Sequence, residues 1–195
     1  MTAISTSRGR RAIRTTVAVG AVSLGFVVLA ACQKPTPSAH FTLNTHTDSF
    51  EADHDCYNGD GLDADRADDC VTPADSPEFG TRSGDTFRIG VDPEVAEDGW
   101  VLLINGLPHA QQEPFTTTYQ TFDTDQLFNE ARQWESNYGV PLPEDGSLDL
   151  TVGQLRDDSD GDLGQAASVE ELQANALETL QGAWSVRLAP EDHED

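Results

Sequence analysis

Residues 17–31 form one apolar run of Ala, Val, Leu, Gly and Phe broken only by Ser23. Arg8, Arg10, Arg11 and Arg14 precede it, with no acidic residue among them. A basic stretch followed by a short apolar one reads as a signal peptide, 1–31, which is removed and so cannot contribute to any core. The run is shorter than the ~20 residues a helix needs to cross the hydrocarbon core, and its charge lies on one side only. A permanent spanning helix is therefore not expected. The folding problem is confined to the 164 residues that follow.

The run ends in Leu29-Ala30-Ala31-Cys32. This tetrad resembles the lipobox of bacterial lipoproteins, in which the cysteine thiol receives a diacylglyceryl group and becomes the mature N-terminus. Small residues at Ala30 and Ala31 would admit the peptidase, and two acyl chains are what stable anchoring requires. The resemblance implies lipidation at Cys32 and a location on the outer face of the cell membrane, held by the lipid. The other reading of the tetrad is a secretory signal with a chance cysteine at its end.

With Cys32 used by the lipid, the three cysteines of the chain leave an even pair, Cys56 and Cys70. Outside the cytoplasm such a pair predicts a disulfide. A zinc site using His54 would want a CxxC pair or a second histidine at ligand spacing, and the sequence has neither.

Removing the signal leaves seven basic residues against 35 acidic ones, a net charge of −28. That balance repels nucleic acid, which is not expected as a partner, and favours cations or basic ligands at long range. The acids are spread along the chain, as solubility or a salty medium would also explain.

Residues 32–39 contain Pro35 and Pro37 and read as a tether, 40–189 as a single β-rich extracytoplasmic domain, and 190–195 as an acidic tail. Phe41, Leu43, Thr45 and Thr47 alternate with His40, Thr42, Asn44 and His46, which predicts one half-buried strand. A change of parity after Asp48-Ser49 predicts a bulge. Residues 58–84 are rich in Gly, Asp, Pro and Ser and read as a long loop. Phe87, Ile89 and Val91 mark a strand. Trp100-Val101-Leu102-Leu103-Ile104 reads as one covered on both sides, and Asn105-Gly106 as a turn.

Residues 115–122 read as another strand. Leu127, Phe128, Ala131, Trp134 and Tyr138 share a stripe on a helix capped by Asp123 or Thr124 and stopped at Gly139. Leu148, Leu150 and Val152 alternate with Asp149 and Thr151. Ser168-Val169-Glu170-Glu171 has capping-box spacing for a second helix, which Gly182 would close before a last strand holding Trp184, Val186 and Leu188. The sum predicts a mainly β fold, an antiparallel sandwich with two short inserted helices.

Cys56-Tyr57-Asn58, Cys70, the run Phe87-Arg88-Ile89-Gly90-Val91-Asp92-Pro93-Glu94, Gly99-Trp100, Ile104-Asn105-Gly106 and Trp184-Ser185-Val186-Arg187-Leu188 together resemble a family of small actinobacterial lipoproteins that carry a domain of unknown function. The resemblance spans most of the mature chain. It implies an anchored extracytoplasmic domain with an immunoglobulin-like sandwich, and it implies no activity.

The most site-like stretch is Asp157-Asp158-Ser159-Asp160-Gly161-Asp162. Asp158, Asp160 and Asp162 match the first half of a calcium loop, whereas Leu163 stands where that loop wants glycine and Val169 where it wants the bidentate acid. Asp53-His54-Asp55 invites a triad reading, but His54 shares the inward parity of Cys56 and reads as a partly buried histidine bonded to backbone. Neither a G-x-S-x-G elbow nor a P-loop accompanies it. Trp100, Trp134 and Trp184 sit at core periodicity and read as packing anchors.

The expectation is a non-catalytic binding or structural module of the cell envelope with no cofactor. Its partners would be the membrane, through lipidated Cys32, and an envelope protein or basic ligand. Capture of calcium or a basic peptide is the rival, and an envelope hydrolase comes third.

Overall fold

Alternating burial builds the first sheet. In β1 (Ser38–Leu43) Ala39, Phe41 and Leu43 are buried while His40 is exposed, and β4 (Thr86–Val91) repeats the pattern with Phe87, Ile89 and Val91. With β2 (His46–Glu51) and β7 (Tyr119–Asp123) they form an antiparallel sheet ordered β2-β1-β4-β7. The chain is a computed structural model describing residues 35–109, 113–157 and 166–191. It divides into two units, Met1–Pro35 and Thr36–Asp195, and the elements named here belong to the second.

The second sheet contains β3 (Glu78–Thr81), β5 (Trp100–Ile104), β6 (Leu107–Pro108), β8 (Leu148–Leu155) and β9 (Leu180–Pro190), in the order β3-β9-β8-β5-β6. Its pairs are antiparallel except β3 with β9, which run parallel. Asn105 and Gly106 turn the chain between β5 and β6 at φ 49° and 77°, as the dipeptide predicts.

Two cores result. Phe41, Phe87 and Ile89 of the first sheet meet Leu102, Leu150, Val152 and Trp184 of the second in a core between the sheets. On the far side of the second sheet, Val101, Leu103, Leu155 and Ala183 pack with residues of α1 (Ala64–Val71) and α4 (Val169–Glu178). Helices thus cover the outer face, which is why β5 and β8 are buried along their whole length. Two further helices complete the fold: α2 (Pro93–Asp98), opened by a proline at its first turn, and α3 (Thr124–Tyr138). Asp123 accepts the Gln126 N–H at 3.1 Å to start α3, and Gly139 at φ 72° ends it.

Several expectations give way. The strand expected to run on to Thr47 instead turns at Asn44, whose φ of 53° lies in the left-handed region that asparagine tolerates. The loop expected over 58–84 contains α1 and β3. Four α-helices, not two, stand among the described residues, together with a 3-10 turn at His54–Cys56. Phe115 makes only an isolated bridge to Trp100, and β7 starts at Tyr119. Gly182 closes no helix: it lies in β9 beside a register shift, and a Cβ there would meet Tyr57 at 2.8 Å.

The ends of the folded unit also shift. Pro37 is buried and β1 begins at Ser38, so the tether does not extend to 39. Pro190 pairs with Thr81, and Glu191 bonds the Thr81 carbonyl and Arg82, so the tail does not begin at 190.

Candidate functional site

α3 lies beside β6, and its C-terminal half puts Trp134 and Tyr138 one turn apart on the same face. The chain enters α4 through Ala166, Ala167 and Ser168, and these residues share a cleft with Trp134 and Tyr138, as do Val169 and Leu172 of α4. With Leu107 of β6 these residues line an open cleft of about 410 Å³. Trp134 is half-buried against the inter-sheet core, whereas Tyr138 is 66% exposed and leaves the core stripe on which its spacing placed it. The walls are apolar and aromatic, the lining expected of a site that takes an apolar or aromatic group.

Local hydrogen bonds fix the entrance to α4. Ser168 Oγ accepts the Glu171 N–H at 3.2 Å, and Glu171 in turn accepts the Ala167 N–H at 2.8 Å. This is the reciprocal arrangement that the Ser168 spacing predicts, displaced by one residue on the return bond. The backbone N–H of Glu170, and then the Ser168 hydroxyl, hold the Glu170 carboxyl below its ordinary value. Trp100 and Trp184 are packing anchors, as expected. The indole of Trp100 donates to the Thr117 carbonyl at 2.9 Å, and that of Trp184 to the Pro37 carbonyl at 3.1 Å.

The disulfide expected between Cys56 and Cys70 is present, with Cα atoms 5.7 Å apart. It ties the 3-10 turn to α1 and hence to the outer core. His54, by contrast, is exposed in that turn and not partly buried, because the turn reorients it away from the parity of Cys56. Asp53 accepts the Asp55 N–H, and Asp55 pairs with Arg66 at 3.3 Å. Cys32, the apolar run before it, and Asp158, Asp160 and Asp162 lie outside the described residues. Among the described residues no group of three or more His, Cys, Asp or Glu is placed to hold a metal ion, and no helix is long and apolar enough to cross a membrane.

Three polar groupings escape the sequence pattern. His109 Nδ1 lies 2.7 Å from Glu130 Oε2, both side chains being mostly buried, and joins the end of β6 to α3. Asp98 Oδ2 accepts from the amides of Gln154 and Gln181, each at 2.7 Å, at the start of the second sheet. Arg187 Nε donates to Asp149 at 2.9 Å across β8 and β9, and that carboxylate raises the affinity of Arg187 for its proton. Each joins residues at least 21 positions apart. Only a cross-strand pairing such as Asp149 with Arg187 could have been sought from sequence, given the register. No family model matches the chain, and neither a curated protein nor a solved structure matches it.

Proposed function

We propose that this chain is a lipoprotein of the outer face of the cell membrane, anchored through Cys32, whose folded unit is a non-catalytic binding or structural module of the envelope. The observation that carries the reading is the Cys56–Cys70 disulfide. Such a bond needs an oxidising compartment, and it supports from the folded part what Leu29-Ala30-Ala31-Cys32 suggests from the leader. Membership of the small actinobacterial lipoprotein family is part of the same proposal, as is an immunoglobulin-like arrangement. Two facing sheets with Trp100 and Trp184 between them support that arrangement. The parallel β3–β9 pair and the helical outer layer are additions to it.

Binding is assigned to the cleft between α3 and α4, since Trp134 and Tyr138 offer aromatic faces at an open surface. The test is capture from envelope extract at low and high salt. A partner retained at high salt and lost in Tyr138→Ala supports the reading. One released by salt points to charge attraction alone.

The alternating carboxylates Asp158, Asp160 and Asp162 favour a second reading, capture of calcium. Millimolar calcium should then raise the melting temperature, and Asp160→Asn should abolish the rise. No rise removes this reading.

A further inference from the structure

The first folded residues are fastened where the sheets begin. Thr36 Oγ1 donates to the Ala52 carbonyl at 3.1 Å, and the Pro37 carbonyl accepts from both the Ala52 N–H and the Trp184 indole, each at 3.1 Å. Ser38 N–H donates to Asp92 Oδ2 at 2.8 Å, while the Ser38 carbonyl accepts the Asp92 N–H at 3.1 Å. From Thr36 onward the chain is therefore part of the fold. Between Cys32 and Thr36 lie three residues. Even fully extended, the four steps from Cys32 to Thr36 reach no further than about 14 Å.

We infer that the unit is seated directly on the bilayer by the end at which β1 begins, with the lipid headgroups as the partner of that end. The inference rests on the lipid-anchor reading of Cys32 and deepens it, because a tether this short leaves little freedom to turn another face toward the membrane. Glu51, which pairs with Ser38, together with Asp53, Pro93 and Thr118 forms the exposed rim of the seat. Thr118 belongs there because its carbonyl accepts the Val91 N–H beside Asp92. The rim residues Glu51 and Asp53 present carboxylates, and the tether itself carries Lys34, so this end rests among headgroups that hold both an ammonium group and a phosphate and does not insert as an apolar face would. The opposite end is the Asn44-Thr45 turn, where Asn44 bonds Asp85 at 3.0 Å. The six residues of β1 put it roughly 20 Å farther from the membrane.

The experiment uses the full lipidated protein in vesicles of phosphatidylcholine and phosphatidylethanolamine doped with a nickel-chelating lipid. Spin labels are attached at Glu51→Cys, Thr118→Cys and Thr45→Cys in turn. Relaxation by headgroup nickel should be at least about tenfold stronger at 51 and 118 than at 45, because dipolar relaxation falls steeply with distance and the six residues of β1 hold the two ends roughly 20 Å apart. Equal relaxation, or the strongest at 45, overturns the seating. Inserting ten Gly/Ser residues before Thr36, which adds a coil of roughly 17 Å, should abolish the contrast, and a contrast that survives overturns the argument from tether length. Detergent-phase partition of the native protein against Cys32→Ala is read separately. If the native protein fails to partition, the anchor reading falls and the seating with it. If it partitions but the labels relax alike, the seating alone falls.

Discussion

The sheet β2-β1-β4-β7 and the sheet β3-β9-β8-β5-β6 share one core yet finish their outer faces in opposite ways. The first leaves His40, Arg88, Tyr119 and Thr121 to solvent. The second covers its outer face with α1 and α4. Two threonines make the contrast concrete. Thr42 in β1 bonds Thr47 across an exposed hairpin. Thr151 in β8 is completely buried, donates to the Val71 carbonyl at 3.1 Å and contacts Ser185 Oγ at 2.7 Å, while Ser185 donates to the Cys70 carbonyl at 2.7 Å. Cys70 and Val71 end α1, and the last carbonyls of a helix have no partner within it. Two strand hydroxyls supply that partner. A polar residue at an outward strand position thus faces water in one sheet and holds a helix in place in the other.

Substitutions can break that contrast, starting with what both sheets need. Trp184→Ala empties the shared core and removes the hydrogen bond to Pro37, so it should cost about 3–5 kcal/mol and lower the denaturation midpoint for both sheets together. Should near-UV and far-UV signals separate in this variant, the two sheets are not one cooperative unit.

Replacing Cys56 and Cys70 by serine should cost about 3 kcal/mol on the chain-entropy account. The loss should be lopsided. Hydrogen exchange in α1 should quicken well before exchange in β1 and β4, because both cysteines pack in the outer core that the bridge holds together. Uniform quickening would mean that the outer core carries the whole fold.

The matched pair of threonines gives the sharpest comparison. Thr151→Val should destabilise by about 1–2 kcal/mol, because it leaves a helix-end carbonyl short of its donor, whereas Thr42→Val should stay within about 0.5 kcal/mol. Equal costs at the two sites would remove the distinction between the sheets.

The smallest effect is expected at the entry to β8, where Asp145 accepts from the Ser147 N–H at 3.0 Å and the Ser147 hydroxyl at 2.7 Å. These bonds, the backbone one foremost, hold its carboxyl below the ordinary 3.8. A lowered folded pKa adds stability above the unfolded value that is lost as pH falls through the folded one. Asp145→Asn should therefore melt slightly earlier than the native protein at pH 6, and the gap should close as pH falls below 3.8. A gap that persists at pH 2 would point to packing and not to charge.

How legible each part was follows from the same contrast. β1 and β4 showed themselves because one face meets water and the period of two survives in sequence. The continuous apolar run of β5 announced cover on both faces, and the Asn105-Gly106 turn followed from residues that tolerate positive φ. β8 misled, since Asp149 and Thr151 look outward by pattern but are buried against Arg187 and α1. α1 was hidden because its eight residues carry three acids, and only Ala67, Cys70 and Val71 mark its buried face. β3 was hidden by its length of four residues and by a parallel partner more than 100 positions away. Of the cleft, Trp134 and Tyr138 were visible as one helix face, but their exposure depends on where α4 and β6 come to rest.

By itself the sequence determined the β-rich class, both caps of α3, the N-cap of α4 and the pairing of Cys56 with Cys70. These depend on local periodicity, on φ preference and on counting thiols. Only the tertiary structure decided that α1 and α4 roof the second sheet, that β3 joins β9 in parallel, that an aromatic cleft opens beside β6, and that Thr36 is already fastened to the fold. Each of those rests on contacts between residues far apart in the chain, where the donor and its acceptor, or the two apolar faces, carry no mark of one another in sequence.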